Sequence, residues 1–204
     1  MLQQGMTVIL VAFPVVFQPE LRRALEQIGR GRFFRSGQVI SMEELERLID
    51  EIVAISESLS KTHTGALIVF EREVGLNDYI DTGIAIDGLV SRELLGNIFI
   101  PNTPLHDGAV IIRENRIMAA GCLLPLTSDR SLSTELGTRH RAAIGISELA
   151  DAVVVVVSEE TGSISYTYGG HIYRHLDGNA LRNVLKTFLN RTPQGLANIF
   201  KWRP

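Results

Sequence analysis

The chain is sparing with several things, and each scarcity excludes something. A single cysteine, Cys122, stands among 204 residues, so no internal disulfide can form, and the composition suits a reducing compartment. Basic residues are not in surplus: 20 Lys and Arg face 23 Asp and Glu, for a net charge of −3. That argues against nucleic acid as the main partner, since such domains are usually basic. No basic stripe interleaved with aromatics offers a single-strand platform either. Long apolar runs are missing as well. Met6 to Phe17 (MTVILVAFPVVF) is interrupted by Pro14 and falls short of the roughly 20 residues a membrane helix needs. It has no basic n-region or small-residue cleavage site, so it does not read as a signal peptide. No internal repeat or low-complexity tract stands out.

What is present fits a globular domain with a short appendage. The apolar fraction is 45% and the charged fraction 21%, close to globular averages. The segment 1–17 has two readings: a buried helix or oligomer contact, or the cytoplasmic end of a membrane helix. Arg22, Arg23, Arg30 and Arg32 follow it, as the positive-inside tendency would have it. Residues 18–40 form a linker whose first part, Gln18 to Gly29, is expected to be helical, with Pro19 in the first turn.

A domain at 41–190 follows, with 191–204 as a tail. Ser41 and Glu44 make a capping-box pattern. Leu45, Leu48, Ile49, Ile52, Ile55 and Leu59 then recur at helical spacing. Strands are expected at Ala66–Phe70, Gly83–Ile86, Ala109–Arg113, Arg116–Gly121, Ala152–Val157 and Ser163–Tyr168, with a tight turn at Glu114-Asn115. Helices are expected at Ser91–Asn97, at Arg139–Ala150 and from Asp177 through Leu189. Helices alternating with strands and hairpins predict an α/β (α+β mixed) single domain, a central mixed β-sheet flanked by helices on both faces.

Three clusters carry chemistry. Leu105-His106-Asp107-Gly108-Ala109 puts a carboxylate where a strand begins, suited to a divalent metal or to accepting a proton, with a glycine that permits close backbone approach. Asp-Gly is also a common turn dipeptide. Gly137-Thr138-Arg139-His140-Arg141 opens a helix, where amides, a hydroxyl and guanidinium groups suit phosphate. Positive charge at a helix N-terminus opposes the dipole unless an anion is bound. Ser158-Glu159-Glu160-Thr161-Gly162 follows the AVVVVV strand as an acidic loop. His171 and His175 have the i, i+4 spacing of a helical metal pair, but GGHIYRHL reads as strand or turn.

Asp107-Gly108-Ala109 and Arg139-His140-Arg141, with Gly137-Thr138 before the second, together resemble the signature of the diadenylate cyclase (DAC) family. TGALIVFERE at 64–73, LHDGAVII at 105–112 and SEETG at 158–162 belong to the same likeness, which covers roughly residues 40–190. FQPELRRALEQIGRG at 17–31 is similar to the segment after the last membrane helix of the membrane-anchored Gram-positive type. Those relatives carry three such helices; this chain would hold only the last part of one. The resemblance implies a nucleotidyltransferase that condenses two ATP into cyclic di-AMP and two pyrophosphates across a face-to-face homodimer. It implies a catalytic Asp107, with His106 and Glu160 as further ligands of Mn²⁺ or Mg²⁺. ATP contacts would come from Gly108, Ala109, Leu124, Thr138, Arg139, His140, Arg141, Ser158 and Glu159. It also implies a membrane-associated parent facing the cytoplasm, soluble in the form of this chain, with a membrane-bound regulator and phosphoglucosamine mutase as regulatory partners. Two alternatives use the same residues: a non-catalytic ATP or cyclic-dinucleotide sensor, and a metal-dependent nucleotide hydrolase.

Overall fold

A computed structural model describes residues 40–129 and 136–190; the expectations for 1–39 and 191–204 lie outside them. Helix α1 (Met42–Lys61) starts as its sequence dictates. The Ser41 hydroxyl accepts from the Glu44 amide at 3.2 Å, and the Glu44 carboxylate accepts from the Ser41 amide at 3.0 Å. This reciprocal cap satisfies amides that the first turn leaves unpaired. All six apolar positions expected on one face of α1 are buried.

The strands are β1 (Ala66–Glu71), β2 (Ile84–Leu89), β3 (Ala109–Arg113), β4 (Arg116–Cys122), β5 (Val153–Val157), β6 (Ile164–Tyr168) and β7 (His171–Leu176). They form one seven-stranded sheet in the order β2-β4-β3-β1-β5-β6-β7. β1 runs parallel to β3 and antiparallel to β5, so the sheet is mixed, as expected. Its central strands β1 and β5 are buried along their whole length, which explains why they read as unbroken apolar runs.

Alternation along β1 divides the core. Ala66, Ile68 and Phe70 join a cluster with α1, α3 (Arg92–Ile98) and α5 (Gly178–Leu189). Leu67 and Val69 face a second cluster with α4 (Thr138–Leu149). Helices therefore cover both faces. Helix α4 is buried continuously from Ala142 to Ser147, because residues 125–127 cross its outer side, with the Thr127 amide bonded to the Arg141 carbonyl at 3.1 Å. A helix covered on all sides loses its amphipathic signature.

The differences from expectation are local. β2 begins at Ile84 and continues to Leu89 through a bulge between Ala85 and Gly88, which masks its alternation. The short helix α2 (Asn77–Ile80) was not expected; its N-cap, Leu76, makes no side-chain cap. GGHIYRHL proves to be edge strand β7 and its preceding turn, so His171 and His175 are not helical neighbours.

Candidate active site

Sheet register brings most of the site together. Ala66 pairs with Val157, Ile68 with Val110, and Ala109 with Cys122. Gly65, Asp107-Gly108, the segment after Cys122 and Ser158 therefore emerge at one end of the sheet. The start of α4 comes to the same end: Arg139 Nη1 lies 2.7 Å from Glu159 Oε2. A Cβ on Gly65 would sit 2.9 Å from both of those atoms, so the glycine leaves room for the ion pair above the start of β1.

Asp107 is exposed at the mouth of β3. Gly108 has φ +123°, and a Cβ there would lie 2.7 Å from the Gly121 carbonyl carbon and 2.8 Å from Cys122 O. The close backbone approach expected of this glycine is thus, in the first place, to β4 of the same chain. Ala109 is fully buried in the second core cluster, so only its backbone is available to a ligand. Leu124 is half-buried and packs against the same cluster.

At the start of α4, the N-cap is Gly137, which supplies no side-chain cap. The first-turn amides are left for another acceptor, the arrangement that suits an anion. Thr138 is exposed and Arg141 half-buried. Among the described residues Arg139 Nε is buried without a hydrogen-bond partner, and a buried orphan donor of this kind costs about 1–3 kcal/mol. His140 behaves differently from its neighbours. It is 6% exposed and turned into the protein. Burial, helped by nearby Arg174 and opposed by Glu160, holds its imidazole below the ordinary histidine pKa. Expected among the phosphate ligands, it is the buried residue of the motif, and it lies near enough to Glu160 of the acidic loop to feel that carboxylate.

The acidic loop closes on itself: the Gly162 amide donates to Ser158 O at 2.9 Å and the Thr161 amide to Ser158 Oγ at 3.2 Å. Glu159 and Glu160 are exposed. His106 is engaged with its own loop. Its Nδ1 lies 2.5 Å from Thr103 O, and the Asn102 amide approaches Nε2 at 3.4 Å. Among the described residues no group of three or more His, Cys, Asp or Glu could hold a metal ion, so His106, Asp107 and Glu160 do not form a ready-made cage. An exposed carboxylate still fits a hard divalent cation, which is commonly held by one or two carboxylates plus substrate phosphates.

Cys122, beneath the site, has its thiol pushed up to about 11 by burial, which disqualifies it as a nucleophile at neutral pH. A shallow cleft between Leu45, Phe70 and Phe188 lies toward the other end of the sheet, away from these groups. Sequence reading missed Gly65, Ser60, His63 and Arg174 as neighbours of the site, since only the fold brings them there. The Thr-Gly before the ALIVF strand was the one local hint.

Residues 53–172 match the DAC family model, described as DisA bacterial checkpoint controller nucleotide-binding. The cyclic di-AMP synthase CdaA of Bacillus subtilis is 49% identical over 205 residues, covering 100% of this chain and 75% of that protein. The diadenylate cyclase of Listeria monocytogenes is 49% identical over 195 residues, 95% of this chain and 71% of that protein. Among solved structures, a double mutant of DacA from Staphylococcus aureus has a TM-score of 0.71 at 49% identity, covering 72% of this chain and 99% of that one. A hypothetical membrane spanning protein from Bacillus cereus has a TM-score of 0.61 at 33% identity, covering 85% and 93%. The chain belongs to the DAC family.

Proposed function

We infer that this chain is a diadenylate cyclase, a nucleotidyltransferase that condenses two ATP molecules into cyclic di-AMP. The observation that carries the reading is the convergence, at one sheet end, of an exposed Asp107, an uncapped helix start bearing Arg139 and Arg141, and an acidic loop. The identity to diadenylate cyclases along the chain supports it. The catalytic domain is taken as 41–190, with the family match inside it.

In the reaction each ribose 3′-oxygen bonds to the α-phosphorus of the other ATP, the α–β anhydride breaks, and pyrophosphate leaves with the electron pair. Asp107 takes part in removing the 3′-hydroxyl proton. The first-turn amides of α4, Thr138, Arg139 and Arg141 hold the phosphates, with Ser158 and Glu159 beside them. Gly108 and Ala109 line the nucleotide through their backbone, as does Leu124 at the adenine. His140, buried in the first turn of α4, is a further contact for the phosphates. A divalent cation, Mn²⁺ or Mg²⁺, would be held by Asp107 and phosphate oxygens, with Glu160 as the next carboxylate; it would neutralise phosphate charge and lower the pKa of a bound oxygen. His106 can join only by giving up its loop contacts.

Nucleophile and electrophile sit on different ATP molecules, so two protomers must meet face to face. Among the described residues no helix is long and apolar enough to cross a membrane. Membrane association of the protein is proposed on the apolar sequence of residues 1–17 and on the likeness to a protein described as membrane spanning. Regulation by a membrane-bound regulator and by phosphoglucosamine mutase is proposed on the anchored-type resemblance alone.

A dilution series at saturating ATP and Mn²⁺ tests the reading. Cyclic di-AMP per protomer should fall steeply as protomers separate. A constant rate across the dissociation range would contradict the two-protomer reaction. ADP or AMP as product would favour the hydrolase, and intact bound ATP the sensor.

A further inference from the structure

The acidic loop is shaped by its own hydrogen bonds, but these do not determine where it points. Its aim comes from the end of α1. Ser60 Oγ donates to Gly162 O at 2.5 Å, and His63 Nδ1 lies 3.4 Å from Glu160 O. The fit is tight: with Gly162 at φ +69°, a Cβ there would come within 2.6 Å of Ser60 O and 3.4 Å of His63 Nε2. His63 itself has φ +52°. A non-glycine residue held there costs on the order of 1 kcal/mol or more and persists only where its surroundings over-determine it. The turn holding both residues is anchored by Ile52, Ile55 and Leu59 of α1, all buried against the sheet.

We propose that Ser60 and His63 are positioning residues for the reaction: acting through the main-chain oxygens of Gly162 and Glu160, they aim the loop that brings Glu159 to Arg139 and Glu160 to the reaction centre. The proposal rests on the catalytic reading above. It makes the last turn of α1 part of the machinery although neither side chain touches the nucleotide. The end of a rigid helix, roughly 30 Å long, is thereby coupled to the site.

The test uses the full chain with Ser60→Ala, His63→Ala and the double variant, beside Ser60→Thr, which keeps the donor. Asp151→Ala is the control, because it removes bonds at the far end of the sheet. Two readouts are taken: steady-state turnover of ATP to cyclic di-AMP, and amide hydrogen exchange over residues 158–163. The double variant is expected to exchange these amides faster and to lose about tenfold in kcat, since a displacement near 1 Å can cost up to about a hundredfold, with KM for ATP within about twofold of wild type. Ser60→Thr should keep most of the turnover that Ser60→Ala loses, and Asp151→Ala should lower stability while sparing both readouts. Unchanged kcat in the double variant, or an equal loss in Asp151→Ala, overturns the proposal. If wild-type protein makes no cyclic di-AMP, the catalytic reading fails, and exchange alone then decides whether the clamp holds the loop.

Discussion

The two ends of the sheet treat charge in opposite ways. At the end where β1 and β3 finish, Glu71 has a fully buried side chain and takes Arg113 in a two-pronged pair, at 2.8 Å and 2.7 Å, while also accepting from the Leu76 amide at 3.0 Å. Arg113 reaches Asn77 as well, at 2.7 Å, and its pKa is raised chiefly by the bond to Glu71. Asp151 accepts from the Glu73 and Val74 amides at 3.1 Å and 3.0 Å and lies 3.7 Å from Arg72. At the other end Asp107 and Glu160 are exposed, the start of α4 has no side-chain cap, and the one pair, Arg139 with Glu159, is exposed on its carboxylate side. Polar groups closed on one another rigidify a fold; groups left open, around positive-φ positions such as Gly108, His63 and Gly162, are available to a ligand.

Four substitutions sharpen or break this contrast. The largest effect on chemistry is expected from Asp107→Asn. Cyclic di-AMP formation should drop by roughly a hundredfold or more, while the melting temperature, followed by circular dichroism, stays within about 2 °C because the side chain is exposed. Glu71→Ala should do the reverse: a loss of about 3–5 kcal/mol in denaturant unfolding, from stranding Arg113, with kcat retained by the folded fraction at low temperature. Activity lost in step with Asp107→Asn would erase the division between the ends. Gly108→Ala should cost about 1–3 kcal/mol, from its positive φ and its collision with β4, and should reduce turnover too, which differential scanning calorimetry and product assays would separate. Smallest is Ser41→Ala, about 1 kcal/mol from the lost cap, with turnover unchanged.

Much of the fold was legible because its signals are local. The Ser41–Glu44 cap, the stripe from Leu45 to Leu59, the valine run of β5 and the cap of α5, where Asp177 accepts from the Ala180 amide at 2.7 Å, depend on neighbours in sequence. What escaped depends on partners far away. β2 was cut short because its bulge breaks the alternation. His140 sits in the middle of a motif between two less buried arginines, and only the tertiary packing that buries it sets it apart from them. Ser60 and His63 lie about a hundred residues from Gly162 and Glu160, beyond any spacing rule. The site residues themselves were found through ordered motifs, since an Asp-Gly or an Arg-His-Arg alone is an ordinary turn or helix start.

The most direct test of the central claim is the stoichiometry of products formed from ATP by concentrated wild-type protein with Mn²⁺ or Mg²⁺, resolved by chromatography and mass. Two pyrophosphates for each cyclic di-AMP, with no ADP or orthophosphate, is the predicted result. ADP or AMP as the main product, or ATP recovered intact after binding is confirmed, would contradict it.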